Sequence, residues 1–226
     1  MLLDTAQQNR VIKISSVNAW NVQQGCMAQW LGPDFRTRII FNDFRDGRYC
    51  SVIFNIRDMK IEKILPKPIY DVAVDGSYAL SLDFSRLHRL RPGYGYSNLP
   101  DSTRDNPCPD KTCIWKLDLK TSSVTDLLKY RDLADFQPDI TMKGAVHKVN
   151  HLMIRPDGKR FYVTAPFGSI TVKKHTRLVT ADQNGKNLYK PSAMMFSFHY
   201  CFWKTTKKLT SHFLRKCTEQ EIITTL

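Results

Sequence analysis

Short runs of alternating apolar and polar residues recur along this chain, most of them in pairs split by a turn sequence. The clearest pair is Val149-Asn150-His151-Leu152-Met153-Ile154-Arg155 and Lys159-Arg160-Phe161-Tyr162-Val163-Thr164, separated by Pro156-Asp157-Gly158. A period of two predicts strands, and the Asp-Gly step supplies the tight reversal of a β-hairpin. The unit returns as Tyr70-Asp71-Val72-Ala73-Val74 and Tyr78-Ala79-Leu80-Ser81-Leu82 around Asp75-Gly76. It occurs again, with a Gly32-Pro33-Asp34 turn, between Ala28-Gln29-Trp30 and Arg38-Ile39-Ile40-Phe41.

Each hairpin is followed by two more strand patterns. After the first come Tyr49-Cys50-Ser51-Val52-Ile53-Phe54-Asn55-Ile56 and Ile61-Glu62-Lys63-Ile64-Leu65; after the second, Cys113-Ile114-Trp115-Lys116-Leu117-Asp118-Leu119 and Val124-Thr125-Asp126-Leu127-Leu128-Lys129-Tyr130. After the third come Thr176-Arg177-Leu178-Val179-Thr180-Ala181-Asp182 and Asn187-Leu188-Tyr189-Lys190. Four antiparallel strands per copy is the organisation of a β-propeller blade. The expected fold is therefore all-β: one domain over residues 1–226, a partial β-propeller with blades at 28–65, 70–130 and 149–190.

Pieces of two further blades flank these. Val11-Ile12-Lys13-Ile14 resembles a lone last strand, and residues 199–215 resemble a lone first hairpin ahead of an irregular tail. Rings close with ~4–8 blades, so the chain is expected to be an arc of a longer protein or to self-associate to complete the propeller. An open β-sandwich is the plain alternative.

Composition changes this picture little. The chain is 42% hydrophobic and 24% charged, ordinary for a globular domain. No apolar run approaches the ~20 residues of a membrane span, and the start, Met1-Leu2-Leu3-Asp4-Thr5-Ala6-Gln7-Gln8, lacks the basic and apolar regions of a secretory signal, so a cytoplasmic location is expected. The formal net charge is +13, of which residues 170–217 contribute +9. No recognition motif accompanies that excess, so nucleic acid is not an expected partner. Cys108-x4-Cys113 and His147-x3-His151 offer four soft ligands, but the 33 residues between the pairs exceed a zinc finger's spacing.

In a blade the second-to-third and the blade-to-blade connections leave on one face. Here the long segments 15–26, 85–112, 131–148, 165–175 and 191–198 all fall on that face, where binding usually resides. Arg86, Arg89, Arg91, His88, Tyr94 and Tyr96 lie within eleven residues of the longest. Guanidinium forks suit carboxylates and tyrosine faces suit sugars, so Arg86, Arg91, Tyr94 and Tyr96, with Trp20, Gln23 and Gln24 from the first loop, are candidate ligands for an anionic carbohydrate. The competing expectation is that the arginines pair with Asp83 and Asp101 and only order the loop. His147, His151 and His199 fall near corresponding strand ends and are candidate ligands of a divalent metal. A metal beside the arginines would acidify a C–H next to a carboxylate and permit β-elimination, with His88 or Arg89 as the base.

Three of these segments also resemble a known group. Trp20-Asn21-Val22-Gln23-Gln24-Gly25-Cys26-Met27-Ala28-Gln29-Trp30-Leu31-Gly32-Pro33-Asp34, Asp83-Phe84-Ser85-Arg86-Leu87-His88-Arg89-Leu90-Arg91-Pro92-Gly93-Tyr94-Gly95-Tyr96 and His147-Lys148-Val149-Asn150-His151-Leu152-Met153 look like an uncharacterised bacterial family of TolB-like, WD-repeat-like propellers. That family is more distantly similar to oligogalacturonate lyases. The resemblance covers roughly residues 10–165 and implies more blades at both ends. It also implies manganese held by histidines and a glutamine, with His147, His151, His199 and Gln23 or Gln24 as counterparts, and elimination by a histidine with an arginine. The chain departs from the family pattern at Ala165-Pro166-Phe167 and Ser192-Ala193-Met194-Met195, as a truncated member would. The functions weighed are a carbohydrate-binding, lyase-like propeller, a non-catalytic propeller with a protein partner, and a degenerate fragment without activity.

Overall fold

The computed structural model describes residues 2–4, 7–168 and 175–191, which are mostly β with few helices. A short antiparallel pair, β1 (Leu2–Asp4) and β2 (Arg10–Ile12), precedes three four-stranded antiparallel sheets. The first is the meander β3 (Gln29–Trp30), β4 (Arg38–Arg45), β5 (Arg48–Asn55) and β6 (Lys60–Leu65). The second is the meander β7 (Asp71–Val72), β8 (Tyr78–Leu82), β9 (Thr112–Asp118) and β10 (Val124–Lys129). Between β8 and β9 lies α1 (Phe84–Leu90), and after β10 come α2 (Tyr130–Asp135) and a single 3-10 turn (Ile140–Met142).

Alternation explains how these sheets stack. In the first, Ile39, Phe41, Val52 and Phe54 point to one face, while Ile40, Ile53 and Leu65 point to the other, as a two-residue period requires. The second set meets Ala79 and Leu117 of the second sheet. Tyr78, Leu80, Leu82, Cys113 and Ile114 of that sheet pack against Leu152, Ile154, Phe161, Val163 and Val179 of the third. The sheets thus lie face to face in chain order. The described residues form no closed barrel.

The third sheet is less regular. Its first strand is broken into β11 (Val146–His147) and β12 (Asn150–Ile154), both paired with β13 (Arg160–Gly168), which also pairs with β14 (His175–Asp182). Where the sequence pattern ends a strand at Thr164, β13 continues through Ala165, Pro166 and Phe167. Strand geometry points a residue's N–H and C=O to the same side. Pro166 accepts from the Lys148 N–H at 3.1 Å, so its missing donor faces the gap between β11 and β12, where the strand is already broken. The pattern expected over Asn187-Leu188-Tyr189-Lys190 is reduced to one bridge, Tyr189 to Thr180.

Two long connections expected as loops contain helices. Asp83 caps α1, its side chain accepting from the Arg86 N–H at 2.9 Å, and the Asp132 carboxylate accepts from the Lys129 N–H at 2.7 Å at the start of α2. Among the described residues no helix is long and apolar enough to cross a membrane.

Candidate functional site

α1 and the turn after it bridge the loop ahead of the first sheet and the broken strand of the third. Arg86 is fully buried, and all five of its N–H groups are committed. Nε donates to the His147 carbonyl at 2.9 Å, one terminal nitrogen to the Thr103 carbonyl and hydroxyl at 3.0 and 2.8 Å, and the other to the Asn106 and Pro107 carbonyls at 3.1 and 2.8 Å. Asp101 supplies the nearest negative charge at 3.6 Å, and the Tyr130 ring lies 4.9 Å beneath the guanidinium. Lys148 adds a second tie, donating from Nζ to the Leu90 carbonyl at 3.1 Å. On the other side, the Gln23 N–H donates to the Gly93 carbonyl at 3.2 Å and Asn98 Nδ2 to the Asn18 carbonyl at 3.0 Å.

These ties bring three segments to the hydroxyl of Tyr70, which stands just ahead of β7. It accepts from Gln24 Nε2 at 2.8 Å and from the His151 N–H at 3.1 Å, and donates to Asn150 Oδ1 at 3.1 Å; His151 Nδ1 is 3.4 Å away. Burial pushes this phenol up to about 12, so it remains neutral. Two buried polar atoms flanking it, Gln24 Oε1 and Asn150 Nδ2, have no partner among the described residues. Asn21 Nδ2 is a third such atom, in the same loop as Gln24. His151 has a positive φ of 47°, uncommon for a residue with a Cβ, and sits inside β12 where the pairing with β13 shifts register between Asn150 and Met153. Its ring meets the edge of Tyr94 at 5.8 Å, and Tyr94 carries the Arg91 guanidinium 4.4 Å above its own ring. The result is a column of imidazole, phenol and guanidinium with Arg91 exposed at its top.

The residues singled out from the sequence divide accordingly. Arg86 has no donor left for a ligand, which corrects its assignment to ligand binding: a charge with no access to water must satisfy itself within the protein. Tyr96 is also fully buried, stacked on Phe84 at 4.5 Å with its hydroxyl accepting from Asn42 Nδ2 at 2.9 Å, and this removes it from the ligand set too. Arg89 Nε donates to Asp101 at 2.7 Å and anchors the loop. His88 is half-buried in the last turn of α1, whose backbone Gly95 approaches closely. Arg91, Tyr94 and Gln24 do come together, Gln23 contributes through its backbone, and Trp20 is 59% exposed beside Gly25.

The metal expectation does not fit the residues described. His147 is buried and stacks on Phe167 at 5.8 Å, with its imidazole held below its usual range first by burial. His151 is engaged by Tyr70 and Tyr94, and His199 lies outside the described residues, as does the partial blade at 199–215. Among the described residues no three His, Cys, Asp or Glu side chains gather to hold a metal. Cys108 and Cys113 are free thiols, the second fully buried and pushed well up by that burial. Sequence reasoning missed Tyr70, Asn150 and Lys148, whose patterns match those of ordinary strand residues. Their partners lie 46 to 81 residues away and leave no local signal.

No protein-family model matches this sequence, and no curated protein matches it. Among solved structures the chain is similar to TolB from Acinetobacter baumannii, with 15% identity and a TM-score of 0.39 over 72% of this chain. It spans 31% of the length of that chain.

Proposed function

We propose that the three sheets are consecutive blades of a partial β-propeller, and that this scaffold binds an anionic carbohydrate-type ligand on its long-loop face. The blade reading is supported by four-stranded antiparallel sheets that follow one another in chain order and stack through shared cores. The ligand reading rests on the column of His151, Tyr94 and Arg91. Arg91 stands on an aromatic ring, exposed, with no carboxylate partner among the described residues. A guanidinium so held can take a uronate carboxylate in its fork, while aromatic edges nearby pack against a sugar ring. A guanidinium held on an aromatic ring is a binding element, so binding is the activity put forward.

Titration calorimetry with a trigalacturonate, against a neutral galactose trisaccharide, tests this. Arg91→Ala and Tyr94→Ala should each weaken uronate binding by about tenfold, the equivalent of one lost charge-assisted contact. Equal affinity for the neutral sugar, or no effect of either substitution, would overturn the proposal.

A further inference from the structure

A cleft of about 510 Å³ opens between the first and second sheets, and its lining shares no residue with the column of His151, Tyr94 and Arg91. That lies in the range of small-molecule sites. Its walls carry three cations, Arg48, Lys67 and Lys111, contributed by the start of β5, the connection from β6 to β7 and the residue before β9. None of the three is ion-paired among the described residues. The neighbouring acid Asp110 is taken by Lys129 at 3.0 Å. Asp83, the one acid in the lining, is turned into the cap of α1.

The floor includes a half-buried indole, Trp115, with Lys67 Nζ 4.2 Å from its ring centroid. Such a pair contributes only about 0.5–1 kcal/mol where water reaches it. An incoming anion can therefore draw the ammonium away and leave the indole face open to a flat ring. Two of the three cations are lysines, compact point charges suited to phosphate oxygens rather than to fork-like pairing with a carboxylate.

We propose that this cleft binds a phosphate-bearing ligand with a planar ring, of the size and chemistry of a nucleoside diphosphate. Arg48, Lys67 and Lys111 hold the phosphates, and Trp115 stacks on the ring. This site is independent of the carbohydrate site, so each can fail without the other.

The test is tryptophan fluorescence and calorimetry of the intact chain with ADP, pyrophosphate and adenosine at low and physiological salt. ADP is expected to bind, to weaken as salt rises and to change the emission, with Trp115→Phe removing that change. Lys67→Met with Lys111→Met should weaken ADP by at least about tenfold, while Arg91→Ala leaves it unchanged. Lys111 is exposed and Lys67 half-buried, and a thermal melt matching the parent's will show that the variant folds. Absence of ADP binding, or ADP binding indifferent to the double substitution, overturns the proposal. Pyrophosphate binding as tightly as ADP with no effect of Trp115→Phe overturns the nucleotide assignment.

Discussion

Replacing Arg86 with methionine separates a residue that serves the fold from one that serves a ligand. Methionine keeps much of the side-chain volume and removes five hydrogen bonds together with the charge facing Asp101. Net hydrogen bonds to a charged group contribute about 1.5–3 kcal/mol each, but they do not add, since several acceptors can recover water. The Asn106 and Pro107 carbonyls belong to exposed residues and will be rehydrated; those of His147 and Thr103 belong to buried ones. Breaking a buried ion pair from one side costs about 3–5 kcal/mol, and the loss expected for Arg86→Met is about 4 kcal/mol. Lysine keeps the charge with three donors in place of five and should lose about half as much. Urea unfolding followed by circular dichroism reads this as a fall in midpoint at unchanged slope. A loss below about 1 kcal/mol, or lost uronate binding at full stability, would refute the structural role.

Asp71 gives a pH signature. Its carboxyl is raised to about 6, first by burial, while it accepts from the Ile154 N–H at 2.6 Å. The folded value lies above the unfolded one, so ionisation destabilises the fold progressively from pH ~4 to 6, by up to about 3 kcal/mol at neutral pH. Asp71→Asn keeps an acceptor for Ile154 and should raise stability at pH 7 and flatten the profile between pH 4 and 6; a variant less stable than the parent at pH 7 would contradict this. At Gly95, φ is +67° and an added Cβ would collide with the Phe84 carbonyl and approach the His88 nitrogen to 2.6 Å. Gly95→Ala should therefore cost at least about 2 kcal/mol in thermal or urea unfolding, and a neutral result would show that the turn can shift away from α1.

Much of the sheet structure was legible because strand period and turn chemistry are local. Asp46 and Gly47, both at positive φ, close the β4–β5 hairpin where the pattern breaks between Phe44 and Tyr49. The candidate site was legible only in part. The cluster of arginines and tyrosines marked the right loop, yet the sequence assigned Arg86 and Arg91 the same role. What separates them is helical phase: Arg86 faces inward with Phe84 and Leu87, whereas Arg91 lies beyond the end of α1. The cap that sets this phase, Asp83 to Arg86, is a readable signal; the carbonyls that receive the guanidinium are not. Trp115 and the cations around it belong to three elements distant in sequence, and no spacing announces them.

The hydroxyl of Tyr70 has a consequence for how the molecule comes apart. In repeat architectures each unit contacts its neighbours only, so the chain can fray one unit at a time from an end. Here the Gln24 side chain ahead of the first sheet, Tyr70 at the edge of the second and Asn150 in the third share one oxygen. Loss of the first sheet therefore strips a partner from an atom buried against the third, and the stack is wired beyond nearest neighbours. The amides around Tyr70, Asn150 and His151 should therefore exchange together with those of Gln24, in one cooperative opening.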